Sequence, residues 1–227
     1  MVGDAPREVG GGKKKVEVSL TLRRIILLGT PLVLTVLMLF HPSPYDDILG
    51  ELVPIAQWWI VLHTIQFVLF ALMGASLWML TAGLQGVVAT LSRVAAGVFA
   101  LFYDAGDAIA GISTGILARA AGEGSLGERA AAAAIEALFH NPVKNLLFSV
   151  GQYAWIVALV LAAVALLRAG APRLPLVLVA LPAYFLTFDH AFPFGSLTFG
   201  SFLAVACWLE VAPGRPTSLA AQPRRVS

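Results

Sequence analysis

Six apolar segments follow one another along the chain, separated by short polar stretches. They run approximately over residues 24–41, 58–82, 87–118, 145–167, 174–190 and 194–212. Because a transmembrane helix needs about 20 mainly apolar residues, this pattern predicts an all-α, polytopic transmembrane helical bundle with about six spans. The third segment is longer than one crossing requires, and we expect its membrane part to begin near Arg93. The fifth segment is short and contains Pro182.

Composition points to lipid as the main solvent of this chain. Hydrophobic residues make up 59% of the 227 residues and charged residues only 12%, whereas soluble domains carry roughly 25% charged residues. The net charge of +2 is small, and no clustered basic face indicates a nucleic-acid partner. The single cysteine, Cys207, excludes an intrachain disulfide. We therefore expect the lipid bilayer as the environment, with a protein partner or homo-oligomer left open.

The distribution of positive charge predicts the orientation. If the N-terminus is inside, twelve lysine and arginine side chains lie on the cytoplasmic side, and only Arg119, Arg129 and Lys144 lie outside. This bias follows the positive-inside rule. The predicted organisation is a basic tail over 1–22, a six-span domain over 23–213 and a tail over 214–227, with both termini cytoplasmic. Residues 1–19 and 214–227 have the composition of disordered tails.

Two local motifs concern the third span and the loop after it. Gly111-x-x-x-Gly115, with Gly97 and Gly106 before it, predicts close approach of neighbouring helices. In the following loop, Ser125-x-x-Glu128 resembles a capping box. It predicts a short helix near 126–139 that rests on the outer membrane surface.

Ionisable side chains within the spans are few, and they fall in the predicted outer half. Asp104 and Asp107 stand three residues apart on the third span, hence on one helix face. His63 lies near the outer end of the second span, with Gln66 on the same side. Such groups are costly in lipid unless they meet each other, an ion or water. The pattern favours a polar pocket that opens outward, although hydrogen bonding between helices is a purely structural alternative.

A divalent metal such as zinc would suit this combination of imidazole and carboxylate. No His-x-x-x-His pair is present, and haem held by His63 with another histidine is the alternative cofactor. We expect His41 to lie solvated at the membrane interface, and Trp58 and Trp59 to belong to the interfacial aromatic belt. The predicted catalytic residues are Asp104, Asp107 and His63; the predicted binding residues are Tyr103, Gln66, Asp189 and His190; the predicted metal ligands are His63, Asp104, Asp107 and His190.

One run of residues carries a resemblance. His41-Pro42 at a span end, His63, and Tyr103-Asp104-x-x-Asp107-x-x-x-Gly111 are similar to small polytopic bacterial membrane proteins of unknown function. The resemblance covers most of spans one to three. It implies a multi-pass protein of the bacterial plasma membrane and supplies no activity.

Three functional hypotheses follow from these observations. The first is a protein with an outward-facing intramembrane pocket that binds a metal and acts on a lipid-like or small substrate by acid–base or metal-assisted chemistry. The second is a proton-coupled or small-solute transporter, although the inner halves of the last three spans are almost wholly apolar. The third is a non-catalytic membrane subunit of a larger complex. Whether the chain is an enzyme stays open at this point.

Overall fold

The computed structural model describes residues 19–44 and 46–211, and within these ranges all regular structure is helical. The expectation of disordered tails covers residues 1–19 and 214–227, which lie outside the described residues except for Ser19, the N-cap of α1. The elements are α1 (Leu20–Met38), α2 (Ile48–Leu80), α3 (Val87–Gly122), α4 (Glu128–Phe139), α5 (Pro142–Arg168), α6 (Arg173–Phe185) and α7 (Phe194–Val211). The all-helical prediction is therefore confirmed for the described part of the chain.

Four helical segments are long and apolar enough to cross a membrane. They are α1, α2, α3 and the segment Glu128–Arg168, which α4 and α5 form together. The shorter helices α6 and α7 are also apolar. At ~1.5 Å per residue, α6 reaches only ~20 Å of the ~30 Å hydrocarbon core, so the sixfold crossing stays a prediction.

Pro182 explains why α6 is irregular. The helix consists of two short pieces, Arg173–Leu178 and Ala180–Phe185, that meet at Val179. Proline has no N–H to donate to the carbonyl four residues earlier, and its ring clashes with that carbonyl. The sequence therefore bends this helix where a regular span would continue.

The outer surface of the bundle carries apolar side chains in place of charged ones. On α2, Val61, Ile65, Val68 and Leu72 are exposed and recur at the spacing of one helix face. A helix that is apolar on its exposed face as well as its buried face is typical of a membrane span. The exposed apolar stripe agrees with the low content of charged residues in the sequence.

Glycines bring α3 close to its neighbours, as the sequence predicts. A Cβ at Gly111 would overlap the His63 ring, and one at Gly115 would come 2.7 Å from Ile60 Cγ1, so α2 and α3 touch where α3 has no side chain. Gly106 faces Phe148 of α5 in the same way. Gly97 faces open space, and its inclusion among the packing glycines was wrong.

The short helix α4 is present, but its capping differs from the prediction. Its N-cap is Gly127 without a side-chain bond, and the Ser125 hydroxyl donates to the carbonyl of Ala120 instead. Ile135 of α4 is buried against Leu52 and neighbouring residues of α2 and α3. The helix thus closes one end of the bundle.

Basic side chains hold the opposite end together. Arg93, in the second turn of α3, donates to the carbonyls of Thr81 at 2.9 Å and Leu84 at 3.1 Å, which satisfies the end of α2. Arg23 of α1 pairs with Glu210 of α7, and both side chains are largely buried. The buried contacts of these charged side chains therefore lie at the end of the bundle away from α4.

Candidate metal centre

A local change of helix type follows Asp107 in α3. Residues Ala108–Ser113 form a π-helical turn, a feature that often occurs at functional sites. The carbonyl of Gly111 in this turn accepts a hydrogen bond from the indole Nε1 of Trp59 at 2.9 Å. The Trp59 indole also lies 3.3 Å from Thr114 Oγ1. The turn thus fixes Trp59 of α2 against α3.

Three histidines from three separate parts of the chain meet beside this turn. His41 follows the end of α1, His63 lies in α2, and His190 lies in the loop between α6 and α7. Each histidine offers one ring nitrogen, and these three nitrogens all lie within 4.8 Å of one another. The His41 ring centroid lies 5.1 Å from that of His63 and 5.0 Å from that of His190. We call this group the histidine triad.

Hydrogen bonds orient two of the three imidazoles. Nδ1 of His41 lies 2.6 Å from the carbonyl oxygen of Pro42, and Nδ1 of His63 lies 2.8 Å from the carbonyl oxygen of Trp59. A carbonyl can only accept, so each Nδ1 carries the proton, and in the neutral ring Nε2 carries the lone pair. Metal-binding histidines commonly hold their second nitrogen in this way.

Acidic side chains flank the third imidazole. Nδ1 of His190 lies 3.5 Å from Oδ1 of Asp189, and Nε2 lies 3.4 Å from Oδ1 of Asp107. Oδ1 of Asp189 also accepts from the backbone N–H of His190 at 2.6 Å and of Ala191 at 3.1 Å. Asp189 therefore shapes the loop that presents His190, while Asp107 faces the triad from α3.

Several polar atoms of this group are buried and have no hydrogen-bond partner among the described residues. They are Nε2 of His41, Nε2 of His190 and both carboxylate oxygens of Asp107. Unpaired buried polar atoms are rare in native proteins because each loses its hydration without compensation. A cation held by the triad would pair with the two Nε2 atoms and would place a positive charge near the carboxylate of Asp107.

The spacing is close to that of a metal site. With zinc–nitrogen bonds of ~2.0–2.1 Å, two ligands of one tetrahedral ion lie about 3.4 Å apart. The triad nitrogens lie within 4.8 Å of one another, so side-chain rotations that shorten these separations by up to ~1.5 Å would bring them onto one ion. Three histidines leave the fourth tetrahedral position open, as in catalytic zinc sites.

A cavity of about 440 Å³ opens onto the triad and Asp107. Its walls come from the ends of α1 and α6, from α2, α3 and α4, and from the first turns of α5. The lining includes the apolar side chains Pro42, Pro44, Phe139, Phe148, Leu186 and Phe188 and the polar side chains Lys144, Asn145, Ser149 and Gln152. The site is thus a half-apolar pocket with convergent polar groups, the usual composition of a small-molecule site.

The structure brings most, but not all, of the predicted site residues to this pocket. His63, Tyr103, Asp107, Asp189 and His190 line the cavity.

Two predicted residues lie elsewhere. Asp104 is buried but is not among the cavity-lining residues, and it does not belong to the triad. Gln66 is fully buried and its side-chain nitrogen faces Met38 Sδ at 3.5 Å. Each carries a buried oxygen that has no hydrogen-bond partner among the described residues, Oδ1 of Asp104 and Oε1 of Gln66.

Two residues belong to the site although the sequence indicated a different role. His41 is buried, not solvated, and Trp59 is only 4% exposed, with its ring 4.3 Å from that of His63. Trp58, 40% exposed, fits the interfacial belt. The signal that could have identified His41 is its place directly after a span, at the same predicted depth as His63.

Comparison with known proteins gives no further assignment. No family model, no curated protein and no solved structure matches this chain.

Proposed function

We propose that this chain is an integral membrane protein of the bacterial plasma membrane that binds one divalent transition-metal ion at the histidine triad. It crosses the bilayer six times with both termini in the cytoplasm, and the cavity opens to the outside. With the metal bound, it hydrolyses a lipid-like or small substrate in that cavity. The apolar helices and the predicted charge bias support the membrane placement.

One observation carries the metal site. Three imidazoles converge with their ring nitrogens within 4.8 Å of one another. In His41 and His63 a backbone carbonyl fixes Nδ1 and directs Nε2 as the free ligand atom. Packing alone gives no reason for two independent loops and one helix to bring three imidazoles to the same point, where Nε2 of His41 and of His190 have no hydrogen-bond partner among the described residues.

The chemistry of the surrounding residues favours hydrolysis. A divalent ion bound here would supply Lewis acidity and make water a nucleophile near neutral pH. Asp107 lies beside His190 with two carboxylate oxygens that have no other hydrogen-bond partner in the described chain. It is placed to accept the proton of the attacking water and to return it to the leaving group. Tyr103 lines the same wall.

The shape of the cavity favours a substrate with an apolar portion. Aromatic and proline side chains form much of its wall, and Phe188 and Pro44 lie among them. An open cavity at one end of a lipid-embedded bundle is accessible to amphiphiles that partition into the outer leaflet. A lipid-like substrate therefore fits better than an ion or a sugar.

Elemental analysis of the purified full chain tests the metal site. We expect about one zinc, or another divalent transition metal, per chain after loading and removal of excess ion. His41→Ala, His63→Ala and His190→Ala should each reduce the stoichiometry to a small fraction. The chain contains four histidines, and the exposed fourth, His140, pairs with Glu136 outside the cavity. His140→Ala is thus the matched control and should keep full occupancy.

Cobalt(II) loading adds a structural readout. A tetrahedral nitrogen-rich site should give visible ligand-field bands that vanish in the three triad variants and persist in His140→Ala. Wild-type protein without stoichiometric metal, or triad variants with unchanged occupancy, would remove the proposed function.

A further inference from the structure

Lys144 is the one lysine or arginine of the described residues that lines the triad cavity. It lies in the first turn of α5 and is 9% exposed. Within the described chain its ammonium takes part in no ion pair and no hydrogen bond. The ammonium lies 5.6 Å from the ring centroid of Phe139 and 5.7 Å from that of Phe148.

The surroundings of Lys144 leave its charge incompletely compensated. Cation–π contacts with phenylalanine attract an ammonium weakly compared with the cost of burying it. Burial of a charged group is otherwise seen where it meets an opposite charge. The ammonium therefore faces the cavity without a partner among the described residues. An anion bound in the cavity would supply the opposite charge.

Neutral donors extend this wall of the cavity. Asn145, Ser149 and Gln152 recur at the spacing of one face of α5 and line the cavity beside Lys144. Gln152 donates to the carbonyl of Leu186 at 2.7 Å, which fixes its side chain. Asn145 and Ser149 add an amide and a hydroxyl next to the ammonium, which suits the several oxygens of an oxyanion.

The carboxylates of the cavity have to be included in this charge balance. Asp107 and Asp189 also line it, so two acidic side chains face the single ammonium when no cation is bound. A divalent ion at the triad would reverse the sign, because two positive charges and Lys144 then exceed two carboxylates. Anion binding in the cavity is thus expected to need the metal as well as the lysine.

We infer that the substrate of the proposed metal site is an amphiphile with an anionic head group. Its oxyanion contacts Lys144 and its apolar chain lies along Phe148, Phe188 and the other apolar lining residues. The inference rests on the proposed function and adds the charge of the substrate to it.

Binding of a short-chain lipid to the full chain tests this inference. Zinc-loaded and chelator-treated protein in nanodiscs of neutral lipid would be titrated calorimetrically with dihexanoyl phosphatidic acid, with dihexanoylglycerol and with inorganic phosphate. The variants are Lys144→Met, which keeps the apolar stem, and Lys144→Arg, which keeps the charge. Arg129→Met is the matched control, since Arg129 is an exposed basic residue at the same end that does not line the cavity.

We expect zinc-loaded wild type to bind dihexanoyl phosphatidic acid at least tenfold more tightly than dihexanoylglycerol or phosphate. Lys144→Met should lose roughly tenfold or more with unchanged zinc content, whereas Lys144→Arg and Arg129→Met should retain most of the affinity. Equal affinity of Lys144→Met and wild type would overturn the inference while the metal site stands. Phosphate binding as tight as that of the lipid would overturn the amphiphile and identify a soluble phosphate ligand. Absence of zinc from wild type would overturn the proposed function itself, whatever the lysine variants show.

Discussion

Nε2 of His190 lies 3.4 Å from Oδ1 of Asp107, so the loop between α6 and α7 meets α3 inside the bundle, directly before its π-helical turn. Asp107 is 1% exposed and both of its oxygens have no hydrogen-bond partner among the described residues. A group of this kind costs stability unless something pairs with it. A functional role is therefore the most direct explanation for a buried aspartate at position 107.

Asp107→Asn should separate function from stability. The amide keeps the size of the side chain and removes an ionisable group whose two buried oxygens have no partner among the described residues, so we expect the metal-free protein to unfold at an equal or higher temperature. Zinc affinity should fall about 10- to 100-fold, the usual effect of losing a group that supports metal ligands. Thermal unfolding and competitive zinc titration measure the two quantities.

Asp104→Asn is the matched control for that experiment. Asp104 is also a buried aspartate of α3, but it lies outside the cavity lining and the triad. Zinc affinity should stay within about twofold of wild type, because a charge outside the lining affects the ion weakly at an effective protein dielectric. A larger loss in Asp104→Asn than in Asp107→Asn would reverse the roles assigned to the two residues.

Gly111→Ala, a substitution in α3, should displace the His63 ring of α2 and so disrupt the triad. A Cβ at Gly111 would overlap the ring of His63, so either the ring rotates away from the triad or α2 and α3 separate. We expect zinc to raise the thermal midpoint of wild type and to leave that of Gly111→Ala almost unchanged.

Gly97→Ala is the control on the same helix. No heavy atom lies within 4 Å of a Cβ at this position, and alanine is favoured over glycine in a helix by about 0.5–1 kcal/mol. The variant should therefore unfold at the wild-type temperature or above and keep its response to zinc. A full zinc response in Gly111→Ala would show that His63 is not a ligand.

The helices were predictable because their signal is local. Each long apolar segment is recognised from consecutive residues. Its transfer into lipid is favourable whichever neighbours the helix packs against. The breakdown of α6 was harder to predict, since Pro182 indicates a bend but not how far the helix continues. The capping prediction for α4 was wrong because the Ser125 hydroxyl donates to the carbonyl of Ala120 and does not accept from a backbone N–H at the start of α4.

The site was predictable only in part because it is assembled from distant segments. The depth of His63 and Asp107 follows from helix length, but His41 joins them through the path of residues 39–44, which no periodicity describes. Asp104 and Asp107 share a face at three-residue spacing, yet they still differ by about 60° around the helix. That angle is enough for one to line the cavity and the other to pack beside it.

Trp59→Phe should weaken the fold more than the equivalent change at Trp58. The Trp59 indole donates to Gly111 O at 2.9 Å inside the bundle, and its loss removes a buried hydrogen bond from a carbonyl to which Thr114 also donates. We expect a loss of about 0.5–1.5 kcal/mol in the free energy of unfolding. The exposed Trp58 lies at 3.4 Å from its acceptor, Phe40 O, and Trp58→Phe should change stability by less than about 0.5 kcal/mol. Equal losses in an SDS-unfolding titration would contradict this packing.

Glu210→Gln should destabilise the end of the bundle opposite the cavity. The Glu210 side chain is 7% exposed and pairs with Arg23, which is 11% exposed. Removing one partner of a buried pair typically costs about 3–5 kcal/mol. The exposed pair of Glu136 and His140 provides the comparison, and Glu136→Gln should cost at most about 1 kcal/mol. The same unfolding titration would rank the two variants, and zinc occupancy should be unaffected in both.

The sixfold crossing can be tested with single cysteines in a Cys207→Ser background, because the chain has no other cysteine. Glu123 lies after α3, Phe192 lies before α7, and Gln85 lies in the turn between α2 and α3; all three are exposed. Glu123→Cys and Phe192→Cys should react with a membrane-impermeant maleimide in intact cells, and Gln85→Cys only after lysis. These substitutions leave every lysine and arginine in place, so the positive-inside bias that sets the orientation is unchanged. If only Gln85→Cys were labelled in intact cells, the cavity would face the cytoplasm. That result would exclude a substrate taken from the outer leaflet.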